Sequence, residues 1–327
     1  MNERELLARL IQGPASGAAL AQGANQTRAA IWKRINALRE AGIAIEVRPG
    51  RGYALAQLLD LLDAAAILAQ LPALQREEVA ALEVAWSLDS TNAELLRRAT
   101  PSTGVAVLLA ERQTGGRGRR GRSWASPLAA NLYLSLARMF GGGLARLPGL
   151  SLVAGVATAE ALHALGFDDV RLKWPNDLVV ADVSRLRKLG GLLVEGGGEV
   201  AGPARAVLGL GLNVAMPAAA AAAIAQPWTD LATLAGGAAP SRNALAAGVL
   251  AHWLPALAQF DADGLAPFLP RYARLDALAG REVVLHADGG DARSGHALGL
   301  AADGALRVRI GAVEHSVHAG EVSVRAA

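Results

Sequence analysis

The segment that decides the reading of this chain is Glu111-Arg112-Gln113-Thr114-Gly115-Gly116-Arg117-Gly118-Arg119-Arg120-Gly121-Arg122-Ser123-Trp124. It follows an apolar run at 105–109 and precedes the alternating run Leu132-Tyr133-Leu134-Ser135-Leu136, so both flanks read as strands. Five arginines separated by four glycines cannot pack as core. Glycine lets the backbone approach a ligand closely, and arginine neutralises phosphate or carboxylate through forked donors. An RNA-binding arginine–glycine arm or a solvated loop would share this composition. An arm belongs more often at a terminus, however, and a position between two strands favours a loop that closes over an anionic ligand.

Moving outward, an apolar run at 84–88 reads as a strand. Asp89-Ser90-Thr91-Asn92 then opens a helix to about residue 98. Ser, Thr and Asn are ordinary helix caps, and their hydroxyls and amide equally suit a small neutral ligand at a strand–helix junction. A helix is expected near 150–165, followed by Arg171-Leu172-Lys173-Trp174-Pro175-Asn176-Asp177 and Arg187-Lys188-Leu189-Gly190-Gly191. The apolar strand 207–214 then carries Gly209 and Gly211 on one face, which weakens a strand unless a ligand or another backbone must come close. Singly, Trp174-Pro175 reads as a packed turn, Asn176-Asp177 as a turn or cap, and Lys188 as a surface lysine.

The N-terminal region has a different character. Leu6, Leu7, Leu10 and Ile11 recur at helical spacing until Gly13-Pro14, and a short helix fits 17–22. Thr27 caps a third helix with an Ile31, Ile35, Leu38 stripe that Gly42 terminates. Its other face carries Arg28, Lys33, Arg34 and Arg39. Ile43, Ile45 and Val47 alternate as a strand, Arg48-Pro49-Gly50-Arg51-Gly52 turns, and 53–55 returns. Three helices and a basic hairpin make a winged helix-turn-helix. Thr27, Arg28, Lys33 and Arg34 are then candidates for the major groove, and Arg48 and Arg51 for phosphate or the minor groove. Trp32 is expected to pack within the module. A small protein-interaction domain with a solvated charged face is the alternative.

Length and composition frame these pieces. A chain of 327 residues, 52% hydrophobic and 19% charged, builds two or three cored domains and is neither disordered nor fibrous. The net charge is +3, yet residues 1–55 hold eight Arg/Lys against four Glu, so the basic character sits in the N-terminal module. Zero Cys excludes disulfides, thiolate zinc sites and cysteine nucleophiles, and the six His show no metal-binding spacing. The start lacks an export signal core, and the alanine run at 218–225 is far short of a membrane span; a cytoplasmic protein without a membrane partner is expected. Between the modules, 56–80 is a Leu/Ala-rich connection in which Asp60 or Asp63 can start a short helix.

Taken in order, Ser90-Thr91-Asn92, the Gly/Arg loop from Gln113 to Trp124, Lys173-Trp174-Pro175-Asn176-Asp177, Arg187-Lys188-Leu189-Gly190-Gly191 and Gly209-Leu210-Gly211-Leu212-Asn213 closely resemble the signature segments of the bifunctional biotin–protein ligases that also repress the biotin operon. The resemblance runs over nearly the whole chain. It implies an α/β (α+β) protein of three domains: a winged helix-turn-helix at 1–57, a mixed-sheet ligase domain resembling class II aminoacyl-tRNA synthetases at 58–277, and an SH3-like β-barrel at 278–327. In the tail, short alternating strands at 282–286, 305–310 and 313–317 lie between Asp-Gly turns.

The chemistry the resemblance implies is attack of the biotin carboxylate on the α-phosphate of ATP, giving biotinyl-5′-adenylate, followed by transfer to a lysine of the biotin carboxyl carrier protein of acetyl-CoA carboxylase. Lys188, Arg117 and Arg119 would be catalytic. Biotin would meet Ser90, Thr91, Asn92, Gln113, Arg117, Gly118, Arg119, Lys188, Gly191 and Gly209, the last two glycines leaving room for its rings. ATP and the adenylate would meet Arg119, Arg122, Trp124, Lys173, Asn176, Asp177, Asn213 and Trp228. Asp177 would hold Mg²⁺ or orient a neighbouring base. The family also implies a homodimer formed on adenylate binding, with operator DNA as its target. An extra stretch, Ala181-Asp182-Val183-Ser184-Arg185, lengthens the turn before Lys188, and the bland run 217–225 stands beside the adenylate loop. A lipoate-type ligase, a biotin ligase without repressor activity and a non-catalytic biotin-sensing transcription factor are the competing readings.

Overall fold

In the computed structural model of the chain, the residues described are 1–141, 143, 147, 149–182, 185–198, 203–287, 292–319 and 322–326. Asn2 starts the first helix, α1 (Glu3–Ile11), through a capping box in which its side chain accepts from Glu5 N and the Glu5 carboxylate accepts from Asn2 N. Ser16 and Thr27 cap α2 (Gly17–Gly23) and α3 (Arg28–Glu40). The leucines and isoleucines at helical spacing meet in one core, with Leu6, Leu7, Ile31, Ile35 and Leu38 fully buried. β1 (Ile45–Arg48) and β2 (Gly52–Leu55) form the expected hairpin. Gly52 has φ +84°, and a Cβ there would lie 2.4 Å from Ala15 O, so only glycine lets β2 exchange hydrogen bonds with Ala15.

The exposed surface of this module differs from expectation in three side chains. Trp32 is 58% exposed instead of packed, because it falls about 100° around the helix from Ile31, outside the stripe that faces the core. The Arg34 guanidinium, half-buried, donates to Gln26 Oε1 and Ala30 O, and Arg39, although exposed, donates to Ile45 O, so both brace the module. The Thr27 hydroxyl is engaged as the cap of α3. Arg28, Lys33, Arg48 and Arg51 are exposed, with Arg48 3.6 Å from Glu46.

The connection leads through α4 (Ala64–Gln70) and α5 (Ala73–Glu78) into the central sheet. Asp63, not Asp60, caps α4. Asp60 instead accepts from Arg242. The sheet contains β3 (Val79–Ala85), β4 (Val105–Ala110), β5 (Leu132–Phe140), β6 (Val170–Lys173), β7 (Asp177–Ala181), β8 (Leu186–Gly198) and β9 (Ala204–Leu212), in the order β3-β4-β5-β9-β8-β7-β6. Only the β3–β4 pair is parallel, so the sheet is mixed. β3 begins earlier than the apolar run at 84–88 suggests. As an edge strand it alternates between exposed and half-buried residues, which blurs the pattern. α6 (Thr91–Arg97) lies between β3 and β4, and α7 (Leu150–Ala164) between β5 and β6. After β9 come α8 (Ala218–Ala221), α9 (Leu231–Leu234), α10 (Arg242–Asp263) and α11 (Leu269–Leu275). α7 and α10 join the main core on one face of the sheet, where Trp253 donates to Thr158 Oγ1 at 2.8 Å. α6 packs on the other face through Leu95, against Leu108 and Val207.

The tail folds as an antiparallel sheet of β10 (Glu282–Ala287), β11 (Arg293–Leu300), β12 (Leu306–Ile310), β13 (Val313–Val317) and β14 (Val322–Ala326), ordered β13-β12-β11-β10-β14. The Asp303-Gly304 turn holds it to the central domain: buried Trp174 donates from Nε1 to Gly304 O at 3.0 Å. Asp288-Gly289 of the tail, and Val183-Ser184 of the extra stretch, lie outside the described residues. Among the described residues no helix is long and apolar enough to cross a membrane.

Asp276, after α11, is half-buried; its Oδ1 accepts from Leu278 N, while the buried Oδ2 has no partner among the described residues. Burial pushes its carboxyl above the ordinary range, and backbone hydrogen bonds oppose that shift. A raised carboxylate binds its proton more tightly in the folded chain, so its favourable contribution is full below the unfolded pKa and is lost as pH rises through the folded one. Asp276→Asn keeps the oxygen facing Leu278. It should therefore raise the melting temperature at pH 7 and leave it unchanged at acid pH, as scanning fluorimetry across pH would show.

Candidate active site

The β7–β8 register builds the centre of the site. Asp177 pairs with Gly191, Leu178 with Gly190, but Val179 with Lys188, so Leu189 is an extra residue in β8. Such a bulge re-aims a side chain. Lys188 is turned to the face shared by Asp177 and Gly191, and its Nζ lies 2.6 Å from Asp177 Oδ1. The β8–β9 pairing begins only at Gly190, so the other edge of Lys188 meets the 227–229 segment. The Lys188 N–H donates to Pro227 O, and its carbonyl accepts from Thr229 N, tying the Trp228 segment to the site. The ammonium also sits 5.4 Å from the centre of the Trp124 ring.

The glycines of this region make room for protein side chains. A Cβ at Gly211 would meet the Trp124 indole at 2.5 Å, and one at Gly209 would meet Asn92 Oδ1 at 2.3 Å. A Cβ at Gly191 would touch the Lys188 Cε at 3.3 Å. Gly191 and Gly209 both line the cavity, and their missing side chains also seat Lys188 and Asn92. Asn92 is 3% exposed and donates to Leu193 O and Glu195 Oε2, so its amide is spent on the protein although the residue lines the cavity. Asn213 is similar, donating to Thr229 O at 3.0 Å. Gln113 Oε1 accepts from Thr91 N at 2.8 Å and its Nε2 faces Ser126 Oγ at 3.2 Å, fixing the amide.

Two residues join this network without having been anticipated as site residues. Ser135, fully buried on β5, places its hydroxyl 2.6 Å from both Thr91 Oγ1 and Asn92 Oδ1. Glu195 on β8 accepts from Asn92 and lies 3.7 Å from Arg117 of the Gly/Arg loop. The alternation of 132–136 already placed Ser135 on the face opposite its leucine neighbours, which was the available signal. Nothing local marked Glu195.

The Gly/Arg loop is folded back on itself. Gly118 N donates to Arg122 O, Trp124 N donates to Gly116 O, and Arg117 bridges Ser123 around a short turn at Arg119–Gly121. Arg119 is half-buried, 3.4 Å from Asn176 Oδ1. Burial, and after it the charge of Arg120, push its guanidinium below the ordinary value, while Asp177 pulls it upward. An arginine stays protonated all the same. The shift marks a partly desolvated cation, which an arriving anion would stabilise. Asp89, at the entry to α6, is held down to about 2 by its hydrogen bonds with Arg97 and then with Ser90 N, which fixes the corner that presents Ser90 and Thr91.

All the ligand-contacting residues expected from the sequence line a single cavity of about 640 Å³, within the usual range for small-molecule sites. Arg117, Arg119 and Arg122 border it together with Lys173, Lys188 and Trp228. Val324 of β14 reaches it from the C-terminal domain, a contribution the sequence did not signal. Trp124 Nε1 is buried without a hydrogen-bond partner among the described residues and remains able to donate to a ligand. Among the described residues Asp177 is the only carboxylate on the cavity wall, and no group of three His, Cys, Asp or Glu could hold a metal. Magnesium therefore fits here as an ion carried by nucleotide phosphates and water with one protein carboxylate, not as a resident ion in a protein cage.

Comparison with known proteins agrees with this arrangement. The profile of the Biotin/lipoate A/B protein ligase family matches residues 84–213, an HTH domain matches 2–54, and the Biotin protein ligase C terminal domain matches 279–325. The chain is 40% identical over 312 residues to the bifunctional ligase/repressor BirA of Escherichia coli, covering 95% of this chain and 93% of that protein. It is 35% identical over 254 residues to the biotin–[acetyl-CoA-carboxylase] ligase of Mycobacterium tuberculosis, covering 74% and 88%. Its fold is similar to the biotin protein ligase from Aquifex aeolicus solved in complex with biotin and ATP, with a TM-score of 0.63 at 26% identity over 76% of this chain and all of the other. With the match extending from the winged helix through the catalytic sheet to the tail, the chain belongs to the family of bifunctional biotin–protein ligases.

Proposed function

We propose that this chain activates biotin with ATP, transfers it to a lysine of biotin carboxyl carrier protein, and represses biotin synthesis genes when loaded with the adenylate. The observation that carries the reading is the bulge that aims Lys188 into a cavity bordered by Arg117, Arg119 and Arg122. In the first step a biotin carboxylate oxygen bonds to the α-phosphorus of MgATP, and the bond to the β-phosphate oxygen breaks, releasing pyrophosphate. Two anions must meet, so fixed cations that need no reorganisation lower the barrier. Lys188 stands between the carboxyl and the phosphate; the arginines take up charge on the phosphates. When bound, Mg²⁺ offsets phosphate charge, with Asp177 as the protein group able to reach it.

In the second step the acceptor lysine amine attacks the acyl carbon, loses a proton, and AMP departs. Lys188 then faces the charge developing on the acyl oxygen and the leaving phosphate. An acyl adenylate is destroyed by water, which gives the Gly/Arg loop its purpose as a cover. Ser90, Thr91 and Gln113 suit the neutral ureido ring, while Trp124, Lys173, Asn176, Asn213 and Trp228 suit the nucleotide. Adenylate binding would favour a homodimer presenting two winged helices to operator DNA. The test is transfer of labelled biotin to a carrier-protein lysine from biotin and MgATP; transfer of lipoate instead, or biotin binding with no transfer, would remove the ligase reading. A promoter gel-shift that is unaffected by biotin and MgATP would remove the repressor one.

Ser135→Ala gives a graded check on the biotin end. It removes the proton shared with Thr91 and Asn92 and leaves a buried acceptor unsatisfied, a loss of about 1–3 kcal/mol. The KM for biotin is expected to rise about tenfold with kcat nearly unchanged, as steady-state kinetics would show.

A further inference from the structure

The winged helix carries an exposed side chain that the ligase chemistry does not use. Trp32 is 58% exposed on α3, whose core-facing stripe is already filled by Ile31, Ile35 and Leu38. It stands two helical turns before Arg39 on the same flank. The Arg39 guanidinium reaches Ile45 O, where the hairpin begins. The exposed cations Arg28 and Lys33 stand on the same helix, and Arg48 and Arg51 are exposed on the hairpin of the same module, with Glu46 partly offsetting Arg48. A large exposed apolar ring in a basic module, on the helix that a winged module inserts into the major groove, matches one partner: duplex DNA that buries the ring while its phosphates meet the charges.

We propose that Trp32 is a specificity-determining residue of the DNA complex, packing its indole against the 5-methyl group of a thymine in the major groove of each half-site. The proposal rests on the operator-binding reading and deepens it. The thymine methyl is the one apolar group the major groove displays, and apolar side chains read it by contact. Arg28, Lys33, Arg48 and Arg51 contact the backbone and bind every sequence alike. Trp32 then discriminates between bases, a division of labour between ring and charge that the module's surface supports.

The experiment uses the full chain with biotin and MgATP to select sites from a random duplex library, followed by titration of the selected duplex. Wild type should recover a site with a thymine at a fixed position in each half. Replacing that thymine with uracil, which lacks only the methyl group, should weaken wild-type binding about tenfold. Trp32→Ala should lose the preference at that position, be indifferent to the uracil substitution, and keep the salt dependence of binding to random duplex. Because the side chain is exposed, circular dichroism of the variant should match wild type. If Trp32→Ala selects the same site with equal affinity, if uracil makes no difference to wild type, or if the variant weakens all sequences uniformly, the proposal is overturned. Selection of no site by wild type would instead bring down the operator-binding reading itself, and this proposal with it.

Discussion

Replacing Lys188 with alanine is expected to lower the rate of biotinyl-adenylate formation by about 10²–10³ while leaving the fold intact. The lysine is one-fifth exposed, lines the cavity, and contacts Asp177 at 2.6 Å. In the proposed reaction its removal takes a cation from the point where carboxylate and phosphate approach each other, and it also uncovers the Asp177 carboxylate. The second effect has the same sign as the first, because an unpaired negative charge then faces both anionic substrates. The double variant Lys188→Ala/Asp177→Asn should therefore recover part of the lost rate, a non-additivity expected of groups in direct contact. Single-turnover measurement of adenylate, with circular dichroism to confirm folding, checks both. A Lys188→Ala enzyme that turned over like wild type would remove this lysine from the chemistry.

Glu111→Ala is expected to cost about 3–5 kcal/mol of stability. Glu111 is fully buried and 2.7 Å from Arg242, itself 2% exposed, while its other oxygen accepts from Leu62 N at 2.6 Å. Without it a guanidinium is left buried among carbonyls, with Asp60 at 3.4 Å as its one remaining carboxylate partner among the described residues. The residue also stands where the Gly/Arg loop begins, and its carbonyl accepts from Ala129 N, beyond the loop's far end. The loss should appear as a lower urea midpoint. Replacing both partners by apolar residues of similar size, as in Glu111→Leu/Arg242→Met, should restore much of it, since the penalty comes from an uncompensated buried charge.

The parts legible in the sequence were those with local pattern. The Ile31, Ile35, Leu38 stripe and its Thr27 cap are found where their spacing placed them, because a helix core reads directly as periodicity. The expected ligand residues converge on one cavity because the sheet order brings side by side the strands and the loops that carry them. What escaped depends on partners distant in the chain. The Glu111–Arg242 pair spans 131 positions, and no local feature links its members. The bulge at Leu189 is visible only in the pairing register, although it determines where Lys188 points. Gly209 and Gly211 announced a close approach correctly but not its identity; Asn92 and Trp124 fill the space. Trp32 was misjudged because tryptophan is usually buried, and helical phase outweighs that tendency here.

In the proposed reaction Lys188 and the arginine loop join the biotin carboxyl to a nucleotide phosphate. Biotin-dependent exchange of radiolabelled pyrophosphate into ATP isolates that step from acceptor and DNA alike. Exchange that requires biotin, is not supported by lipoate, and falls to near background in Lys188→Ala is the predicted result. Tight biotin binding without any exchange, or undiminished exchange in the variant, would contradict it.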